Sequence, residues 1–386
     1  MSYSIERLHA QNYDEFMDFI NMVFSQDLMT VHFQEDLPLL FAPDEEHMQN
    51  QYVIREDGRI RSAVGTIPYT FLSCGESFQT KTITNVTTHY HYTGRGYMQA
   101  LFRRALEDMR QEKVDFVTLH GNRERYRFMG FENAGICTTA SFTRENVLNR
   151  KKRGVLKKFS FRRLEDNDLE EIQTYMRYFE AQPQRYVRPA HNFMQTMHMW
   201  HGEAYLVLNE QEKICGALNY NAKWAPMLKE LFLEDESEAD QVIAAFILEM
   251  NLSKLNVAAY AQQPVMMRSL YRSAQSVSNG GMCMMQVFSL ERLLASCLNM
   301  KLQLLPELPQ GELVLECMFG RFVIRNDGKF TVERTEKKPM LEVPDYEIYS
   351  FLFGPSELLI PYDKKGLGEL AAWFPVPIII HDVDRY

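Results

Sequence analysis

The segment Val86–Gln99 holds residue types whose spacing could bind an anion. It reads as a short strand, a turn containing Gly94 and Gly96, and the first turn of a helix. A strand that stops at glycines and restarts as a helix directs several backbone N–H groups at one point, which also receives the positive end of the helix dipole. The pattern predicts a site for a phosphate-bearing cofactor. The alternative to a phosphate site is that the two glycines only allow the chain to reverse direction.

Two common phosphate-binding motifs are absent from this segment. It lacks a Gly-x-Gly-x-x-Gly with an acidic residue downstream, which excludes the dinucleotide fingerprint, and it lacks the Gly-Lys-Ser/Thr ending of a P-loop.

The neighbouring elements would position this turn. Val114–Leu119 reads as a strand, followed by a short helix that holds Tyr126 and then by Gly130-Phe131. The helix that begins at the turn has apolar residues at the spacing of one buried face. They are Met98, Leu101, Phe102, Ala105, Leu106 and Met109.

The order strand, glycine turn, helix, strand and Tyr-x-x-x-Gly-Phe resembles the GNAT superfamily of acetyl-CoA-dependent N-acetyltransferases. Aligned on the helix start, Gly96 takes the first glycine position of the Arg/Gln-x-x-Gly-x-Gly/Ala motif, from which Thr93 and Met98 depart. A second frame, His91-x-x-Gly94-x-Gly96, restores both glycines but begins with histidine. The first frame is preferred because it enters the helix as the family does.

The resemblance implies a role for each part of the segment. The strand would pair with the pantetheine arm, the turn would hold the pyrophosphate, and the end of the next strand would add contacts. The implied acetyl-CoA-binding residues are Val86, Thr87, Thr88, Gly94, Arg95, Gly96, Tyr97, Met98, Gln99, Gly121 and Asn122. Tyr126 is the implied general acid, because a phenol with a pKa near 10 stays protonated at pH 7 and can protonate a thiolate. A core tyrosine with a satisfied hydroxyl is the alternative.

Composition predicts a multidomain cytoplasmic protein. The 386 residues exceed one ordinary core, and the net charge of −9 disfavours a nucleic-acid binder while suiting a cationic amine substrate. No apolar run is long enough to span a membrane, and no signal-peptide segment is evident. The six cysteines form no C-x-x-C pair, which indicates free thiols. His198 and His201 suggest no third ligand, so no metal is expected.

Three units are expected along the chain: residues 1–148, 149–289 and 290–386. The first unit is predicted to contain the strands and helix Ile5–Leu8, Tyr13–Phe24, Gln51–Arg55 and Ser62–Leu72, with Asp57-Gly58 as a turn. The basic run Asn149–Gly154 is predicted to be a solvated linker.

The second unit repeats this order without a glycine turn, and resembles a degenerate GNAT domain that has lost its cofactor site. Its elements are Phe159–Leu164, Asp166–Phe179, the hairpin Ala204–Leu208 and Ile214–Tyr220, and Ala239–Leu252. The third unit resembles a sterol-carrier-protein-like α+β domain. Its elements are Leu290–Leu302, the hairpin Gly320–Arg325 and Lys329–Arg334, Asp345–Phe353 and Gly366–Trp373.

Two tandem GNAT units followed by such a domain form the α+β architecture of the enhanced intracellular survival (Eis) family, and the resemblance covers nearly the whole chain. It implies a hexamer. It also implies that the free α-carboxylate of the last residue acts as the catalytic base, here on Tyr386 in place of the expected phenylalanine. The prolines and Ile378–Ile380 predict that the tail leading to it is buried. From residue type alone, other candidate bases are His89, His91, His120, Asp27, Glu35 and Asp36.

The sequence is thus interpreted as an N-acetyltransferase that transfers acetyl from acetyl-CoA to a primary amine, either a small molecule or a lysine side chain, by direct attack in a ternary complex. Aminoglycosides and polyamines are candidate substrates. One alternative is an inert GNAT scaffold that binds a lipid or another small molecule. Another is an aminoacyl transferase that uses charged tRNA, which the net charge disfavours.

Overall fold

A computed structural model of the protein describes residues 3–27, 31–345, 347–354 and 367–385. Its strands are β1 Ser4–Arg7, β2 Gln51–Glu56, β3 Arg59–Ser73, β4 Glu76–Thr88, β5 Phe116–Leu119, β6 Glu132–Thr143, β7 Ser160–Arg163, β8 Gln184–Tyr186, β9 Glu203–Leu208, β10 Ile214–Asn221, β11 Met227–Leu233, β12 Lys254–Ala259, β13 Ser276–Val287, β14 Gly311–Cys317, β15 Gly320–Asn326, β16 Phe330–Arg334 and β17 Leu341–Glu342.

The α-helices are α1 Tyr13–Asp27, α2 Phe33–Asp36, α3 Glu45–Gln49, α4 Tyr97–Gln111, α5 Arg123–Arg127, α6 Arg144–Lys152, α7 Leu169–Glu180, α8 Phe193–His198, α9 Ala239–Glu249, α10 Pro264–Ser273, α11 Leu290–Leu304 and α12 Glu347–Phe353. Short 3₁₀ segments cover Ala10–Asn12, Tyr90–Tyr92, Ala190–Asn192, Met199–His201, Glu236–Glu238, Gly368–Trp373 and Asp382–Asp384.

The local patterns predicted most of the elements around the glycine turn. Asp57 and Gly58 form the turn of the β2–β3 hairpin, both with positive φ, as two-residue hairpin loops require. The apolar stripe of α4 is buried from Leu101 to Met109, which packs that helix against the sheet.

The segment Asn149–Gly154, predicted to be a solvated linker, is exposed apart from the half-buried Arg150 and connects β6 with β7, but it begins as part of a helix. Asn149 to Lys152 form the last turns of α6, and Arg153 caps that helix. The basic side chains lie at the helix C-terminus, where they interact favourably with the negative end of the dipole. The charge run therefore reflects helix stabilisation by its own residues.

One sheet runs through the first two units. Its strand order is β1-β2-β3-β4-β5-β13-β6-β12-β11-β10-β9-β7, and β8 pairs with β3. Most pairs are antiparallel, whereas β4 pairs with β5 in parallel and β11 pairs with β12 in parallel. The second unit thus repeats the parallel pair of the first.

The two units exchange their last strands. β13, from the second unit, lies between β5 and β6 of the first, and β6 pairs on its other side with β12 of the second. Each parallel pair is therefore completed by a strand from the other unit. The two halves share backbone hydrogen bonds and cannot separate without breaking the sheet.

The third unit is built on a smaller sheet of order β16-β15-β14-β17. α11 packs on β16, and α12 packs on β6 of the large sheet. The predicted hairpin from β15 to β16 is present, and Gly328 in its turn has φ +104°. Trp373 is fully buried in the apolar core shared with the first unit.

A buried carboxylate joins the first unit to the second. Asp36, at the end of α2, is 4 % exposed and accepts hydrogen bonds from Lys223 and from His201 Nε2, the latter at 2.8 Å. The Lys223 ammonium also lies 4.9 Å from the centre of the Trp200 ring. Burial opposes ionisation of Asp36, but Lys223 and His201 outweigh it and hold the pKa of the carboxyl below its ordinary value.

We expect Asp36→Asn to lower the free energy of unfolding by about 2 kcal/mol at pH 7, as for loss of a hydrogen bond to a charged group. Because the pKa is lower in the folded than in the unfolded state, this contribution is complete above about pH 4 and is lost as the pH falls through the folded value. Urea unfolding at pH 7 and pH 3 measures it. The same change at exposed Asp166 is the control, and an equal Asp36 effect at both pH values would contradict the assignment.

Candidate active site

The strand that leads to the glycine turn has an unpaired edge. The parallel ladder between β4 and β5 ends at Ile83 and Leu119, whereas β4 continues to Thr88 along β3. The β3–β4 register shifts between Ala63 and Gly65, and Asn85 opposite has φ +39°. The bulge at Asn85 increases the local twist of β4. Within the described part of the chain, no strand pairs with the edge of β4 beyond Ile83.

Polar atoms on this part of β4 lack partners. Asn85 Oδ1 and Thr87 Oγ1 are buried, and neither has a hydrogen-bond partner among the described residues. Such orphaned groups are costly and are normally satisfied by a ligand or by water. No sequence pattern singled out Asn85.

The glycine turn has the backbone geometry that the sequence predicted. Gly94 and Gly96 have φ +77° and +78°, and Gly96 precedes the first residue of α4 without a side-chain cap. The first N–H groups of a helix have no partner within it, so they are directed at the point in front of the turn. The turn can therefore bind an anion through its backbone.

β4 and the turn line one cleft of about 580 Å³. Its walls include nine of the eleven predicted cofactor residues. These are Val86, Thr87, Thr88, Gly94, Arg95, Gly96, Tyr97, Met98 and Gln99. Thr93 also lines the cleft. The sequence did not point to the remaining lining residues, which are Val23 and Phe24 from α1, Tyr92 and Arg125.

Charged side chains surround the turn. Two guanidinium groups stack on the Tyr92 ring, with the central carbon of Arg61 at 4.3 Å and that of Arg95 at 4.5 Å from its centre. Glu56 accepts hydrogen bonds from Arg95 and from the Tyr97 hydroxyl, and the latter bond raises the pKa of Tyr97. Glu56 offsets part of the positive charge of Arg95, and the net positive charge of the three side chains favours an anionic ligand here.

The matching place in the second unit has the opposite character. Between the end of β11 at Leu233 and the start of α9 at Ala239, the chain has no glycine. Residues 234–238 instead contain four carboxylates, on Glu234, Asp235, Glu236 and Glu238. These charges would repel a phosphate, which agrees with the interpretation of this unit as a scaffold without a cofactor site.

For the acetyl-CoA site that the family resemblance implies, we expect Gly96→Ala to raise the KM about 10-fold, since αL geometry costs an L-residue roughly 1–2 kcal/mol. The added Cβ itself meets nothing closer than Gln99 Oε1 at 4.0 Å, so the effect isolates the turn geometry. Gly58→Ala is the matched control, because Gly58 has φ +71° and open space but lies in the β2–β3 hairpin away from the cleft lining. Equal KM values in steady-state assays of the two variants would contradict the prediction.

Gly121, Asn122 and Tyr126 lie together after β5 but are not among the cleft-lining residues. Asn122 caps α5 by accepting a hydrogen bond from the Glu124 backbone N–H at 2.9 Å. Gly121 has φ +146°, and a Cβ there would lie 2.8 Å from Tyr126 Cε2. Tyr126 is 6 % exposed, and its ring centre lies 5.6 Å from that of Phe102. Burial raises the pKa of Tyr126, which keeps the phenol protonated.

The candidate bases of the first unit occupy different environments. His89 caps the 3₁₀ segment Tyr90–Tyr92, which contains His91, and neither histidine is among the cleft-lining residues. Burial together with the charge of Arg61 lowers the pKa of His89. Burial and the charge of Arg385 lower the pKa of His120 to about 3. Asp36 is engaged by Lys223 and His201, as described above. Glu35 is exposed, and the Asp27 side chain lies outside the described residues.

The predicted burial of the C-terminal tail is confirmed. Val376 and Ile378–Ile380 are buried, and Asp384 is 2 % exposed. Tyr386 itself lies outside the described residues. The Ile380 N–H donates to Met282 Sδ of β13 at 2.9 Å, so the tail packs beside that strand, and the charge of Arg385, the last described residue, contributes to the lowered pKa of His120.

Neither a metal site nor a spanning helix is found among the described residues. No three His, Cys, Asp or Glu side chains in them are grouped so as to hold a metal ion. No helix in the same ranges is long and apolar enough to cross a membrane.

A family profile described as "Acetyltransferase (GNAT) domain" matches residues 4–134. A comparison with curated protein sequences gave no significant match. Several solved structures are similar over nearly the whole chain. A probable N-acyltransferase from Enterococcus faecalis has a TM-score of 0.70 and 16 % identity, over 100 % of both chains.

Two further structures have the same fold. A GCN5-related N-acetyltransferase from Anabaena variabilis has a TM-score of 0.68 and 14 % identity, over 100 % of both chains. Eis1 from Mycobacterium abscessus has a TM-score of 0.57 and 13 % identity, over 91 % of this chain and 89 % of that one. The predicted α+β GNAT-like fold is confirmed, and residues 4–134 match the GNAT acetyltransferase domain.

Proposed function

We propose that the protein transfers the acetyl group of acetyl-CoA to a primary amine by direct attack in a ternary complex, in the manner of the Eis family. The observation that carries the proposal is the cleft at the end of β4. There an unpaired strand edge, a glycine turn at a helix N-terminus and two arginines lie together.

Each part of the cleft suits one part of coenzyme A. The edge of β4 beyond Ile83 offers backbone groups to the pantetheine amides, as an added strand would pair. The orphaned Thr87 hydroxyl offers one more polar partner. The turn from Gly94 to Gly96 would hold the pyrophosphate through N–H groups, and Arg95 would add charge.

In the reaction, the amine nitrogen attacks the thioester carbon, the C–S bond breaks, and the thiolate takes a proton. The attacking nitrogen must lose a proton as its bond forms. We assign Tyr126 as the general acid to the thiolate and the α-carboxylate of Tyr386 as the group that receives the proton of the amine.

The pKa values of the carboxyl and of the amine restrict what this carboxylate can do. An α-carboxyl has a pKa near 3.5 and an alkylammonium one near 10.4, a difference of about 7 units or about 9 kcal/mol. Complete proton removal before attack is therefore unfavourable. Because an ammonium has no lone pair, the attacking species is the neutral fraction of the amine. We infer that the carboxylate orients this amine and accepts the proton that its nitrogen loses once the new N–C bond makes that nitrogen acidic.

The substrate class rests on charge. The chain carries a net charge of −9, which attracts cationic amines such as aminoglycosides, polyamines or lysine side chains. The further Eis-like features, a hexameric assembly and a sterol-carrier-protein-like third unit, belong to the same proposal. Light scattering of the purified protein tests the hexamer.

Isothermal titration with acetyl-CoA, followed by a thiol-release assay against a panel of amines, tests the function. We expect saturable binding and thiol release that depends on one class of amine. Absence of acetyl-CoA binding would refute the proposal. In that case, displacement of a fluorescent fatty acid would test whether the protein binds lipid instead.

A further inference from the structure

A buried carboxylate at the start of β6 binds the short helix that precedes it. Glu132 is 3 % exposed, and its backbone lies inside the large sheet, opposite Met285 of β13. The carboxylate accepts two hydrogen bonds from the guanidinium of Arg123, one of them from Nη2 to Oε2 at 2.5 Å. Oε2 also lies 3.6 Å from Arg127 Nε, and Oε1 accepts the Asn133 N–H at 2.8 Å. The carboxylate thus takes its charged partners from α5.

These two arginines, Arg123 and Arg127, are the first and the last residue of α5. A helix of five residues is not stable through its own backbone hydrogen bonds, so contacts with the rest of the fold must hold it in place. Asn122 caps its N-terminus, but that bond joins the helix only to the residue before it. Glu132, by contrast, belongs to a strand in the interior of the sheet and contacts both helix ends. It therefore fixes α5 along its length relative to β6.

The residues between the two arginines belong to the candidate site. Arg125 lines the cleft at the glycine turn. Tyr126, the proposed general acid, comes next, and its ring packs beside Phe102 and against Gly121, which follows β5. Because a single helical turn moves as one piece, a shift of α5 along β6 would displace the Tyr126 hydroxyl by the same distance. The position of this hydroxyl thus depends on the contact between Glu132 and the helix ends.

The charges in this contact contribute more to position than to stability. The side chains of Arg123 and Arg127 are 45 % and 49 % exposed, so water screens their attraction to Glu132, and taking a carboxylate out of water is costly. A planar guanidinium that donates to both oxygens of one carboxylate nevertheless defines distance and direction closely. Arg123 does so through Nε and Nη2. An apolar contact of the same size would not set the direction of the helix in this way.

We propose that Glu132 is a positioning residue that holds both ends of α5 and thereby sets the place of the Tyr126 hydroxyl in the acetyl-transfer site. This inference rests on the proposed function, in which that hydroxyl protonates the leaving thiolate. Glu132 itself is not among the cleft-lining residues, so it acts on the chemical step through the helix that it holds. Its charge should therefore matter for kcat only while Tyr126 has a hydroxyl.

A double-mutant cycle between Glu132→Gln and Tyr126→Phe tests the proposal. Glutamine keeps the size of the side chain but removes the charge and one acceptor. At saturating acetyl-CoA and amine, we expect Glu132→Gln to lower kcat about 10-fold, as for a small misplacement of a reacting group. In the Tyr126→Phe background the same change should leave kcat unaltered. Glu15→Gln is the control in both backgrounds, because Glu15 accepts a similar pair of bonds from Arg55, at 2.8 and 2.7 Å, between α1 and β2.

The outcomes separate this proposal from the proposed function. A folded Glu132→Gln variant with the wild-type kcat would overturn the positioning role. A fall in kcat of the same size in the Tyr126→Phe background would overturn it as well, since the carboxylate would then act independently of the hydroxyl. Both results leave the enzyme assignment intact. A wild-type protein that acetylates no amine would overturn the proposed function instead.

Variants of the two arginines keep the proposal testable if Glu132→Gln does not fold. Both side chains are about half exposed, and Arg123 makes two hydrogen bonds to the carboxylate, whereas Arg127 Nε lies 3.6 Å from it. We expect Arg123→Met to lower kcat more than Arg127→Met does, and neither change to lower kcat further in Tyr126→Phe. Equal kcat values in the two arginine variants would overturn the proposal.

Discussion

One alanine added after Tyr386 is expected to lower kcat about 100-fold or more, the usual contribution of a general base, without changing the Kd for acetyl-CoA or the Tm. The extension turns the α-carboxylate of Tyr386 into a peptide carbonyl and moves the new carboxylate about 3.8 Å along the chain. The tail is fixed as far as Arg385 by the bonds of Asp384 and Asp382, so it cannot slide back by one residue to compensate.

The control for this experiment is the same alanine added at the N-terminus. Steady-state kinetics, titration with acetyl-CoA and thermal unfolding are measured on both variants and on the wild type. If the variant with the added C-terminal alanine keeps the wild-type kcat, the α-carboxylate of Tyr386 is not the base. The candidates are then side chains near β5. His120, directly after β5, is one of the candidate bases, although a pKa of about 3 makes it a weak base.

The sequence predicted the elements that form the cleft well because the information for them is local. The helical stripe of α4, the positive φ of Gly94 and Gly96 and the strand before them all arise within about 25 residues. Backbone groups form most of an anion site of this kind, so the departures from the family motif at Thr93 and Met98 leave the geometry of the turn intact. Both residues line the cleft where the family resemblance placed them.

The charged partners of the turn were not predictable in this way. Glu56 and Arg61 come more than 30 residues before Arg95, and only the pairing of β2, β3 and β4 brings them to it. Neither residue belongs to a recognisable sequence motif, since each is a single charged residue beside a hairpin turn.

The exchange of strands between the first two units was equally difficult to predict from the sequence. β13 begins with the polar and glycine-containing run Ser276–Gly281, which lacks the alternation of a half-buried strand. Its place between β5 and β6 depends on long-range pairing. The buried ion pair between Arg188 and Asp384 is a similar case, since the two residues are separated by 196 positions and meet only in the finished fold.

Tyr126→Phe is expected to lower kcat about 100-fold at saturating acetyl-CoA, the lower end of what a general acid contributes. Only the hydroxyl is lost, and the ring keeps its place against Phe102 and Gly121. The KM for acetyl-CoA and the Tm should therefore remain those of the wild type. Tyr13→Phe is the matched control, because Tyr13 donates to the Phe41 carbonyl at 3.0 Å and lies outside the cleft lining.

The pH dependence tests the same assignment with a defined sign. Burial raises the pKa of Tyr126 above its usual value near 10, and an acid acts only while protonated, so wild-type kcat should fall only above about pH 10. A thiolate with a pKa near 8.5 is a weaker base than such a phenolate. The proton of Tyr126 therefore moves to the sulfur while the C–S bond breaks, and the Tyr126 phenolate afterwards regains a proton from water. The variant should lack the alkaline fall. An unchanged kcat in Tyr126→Phe, with the same alkaline limb, would make Tyr126 a core residue and water the proton source.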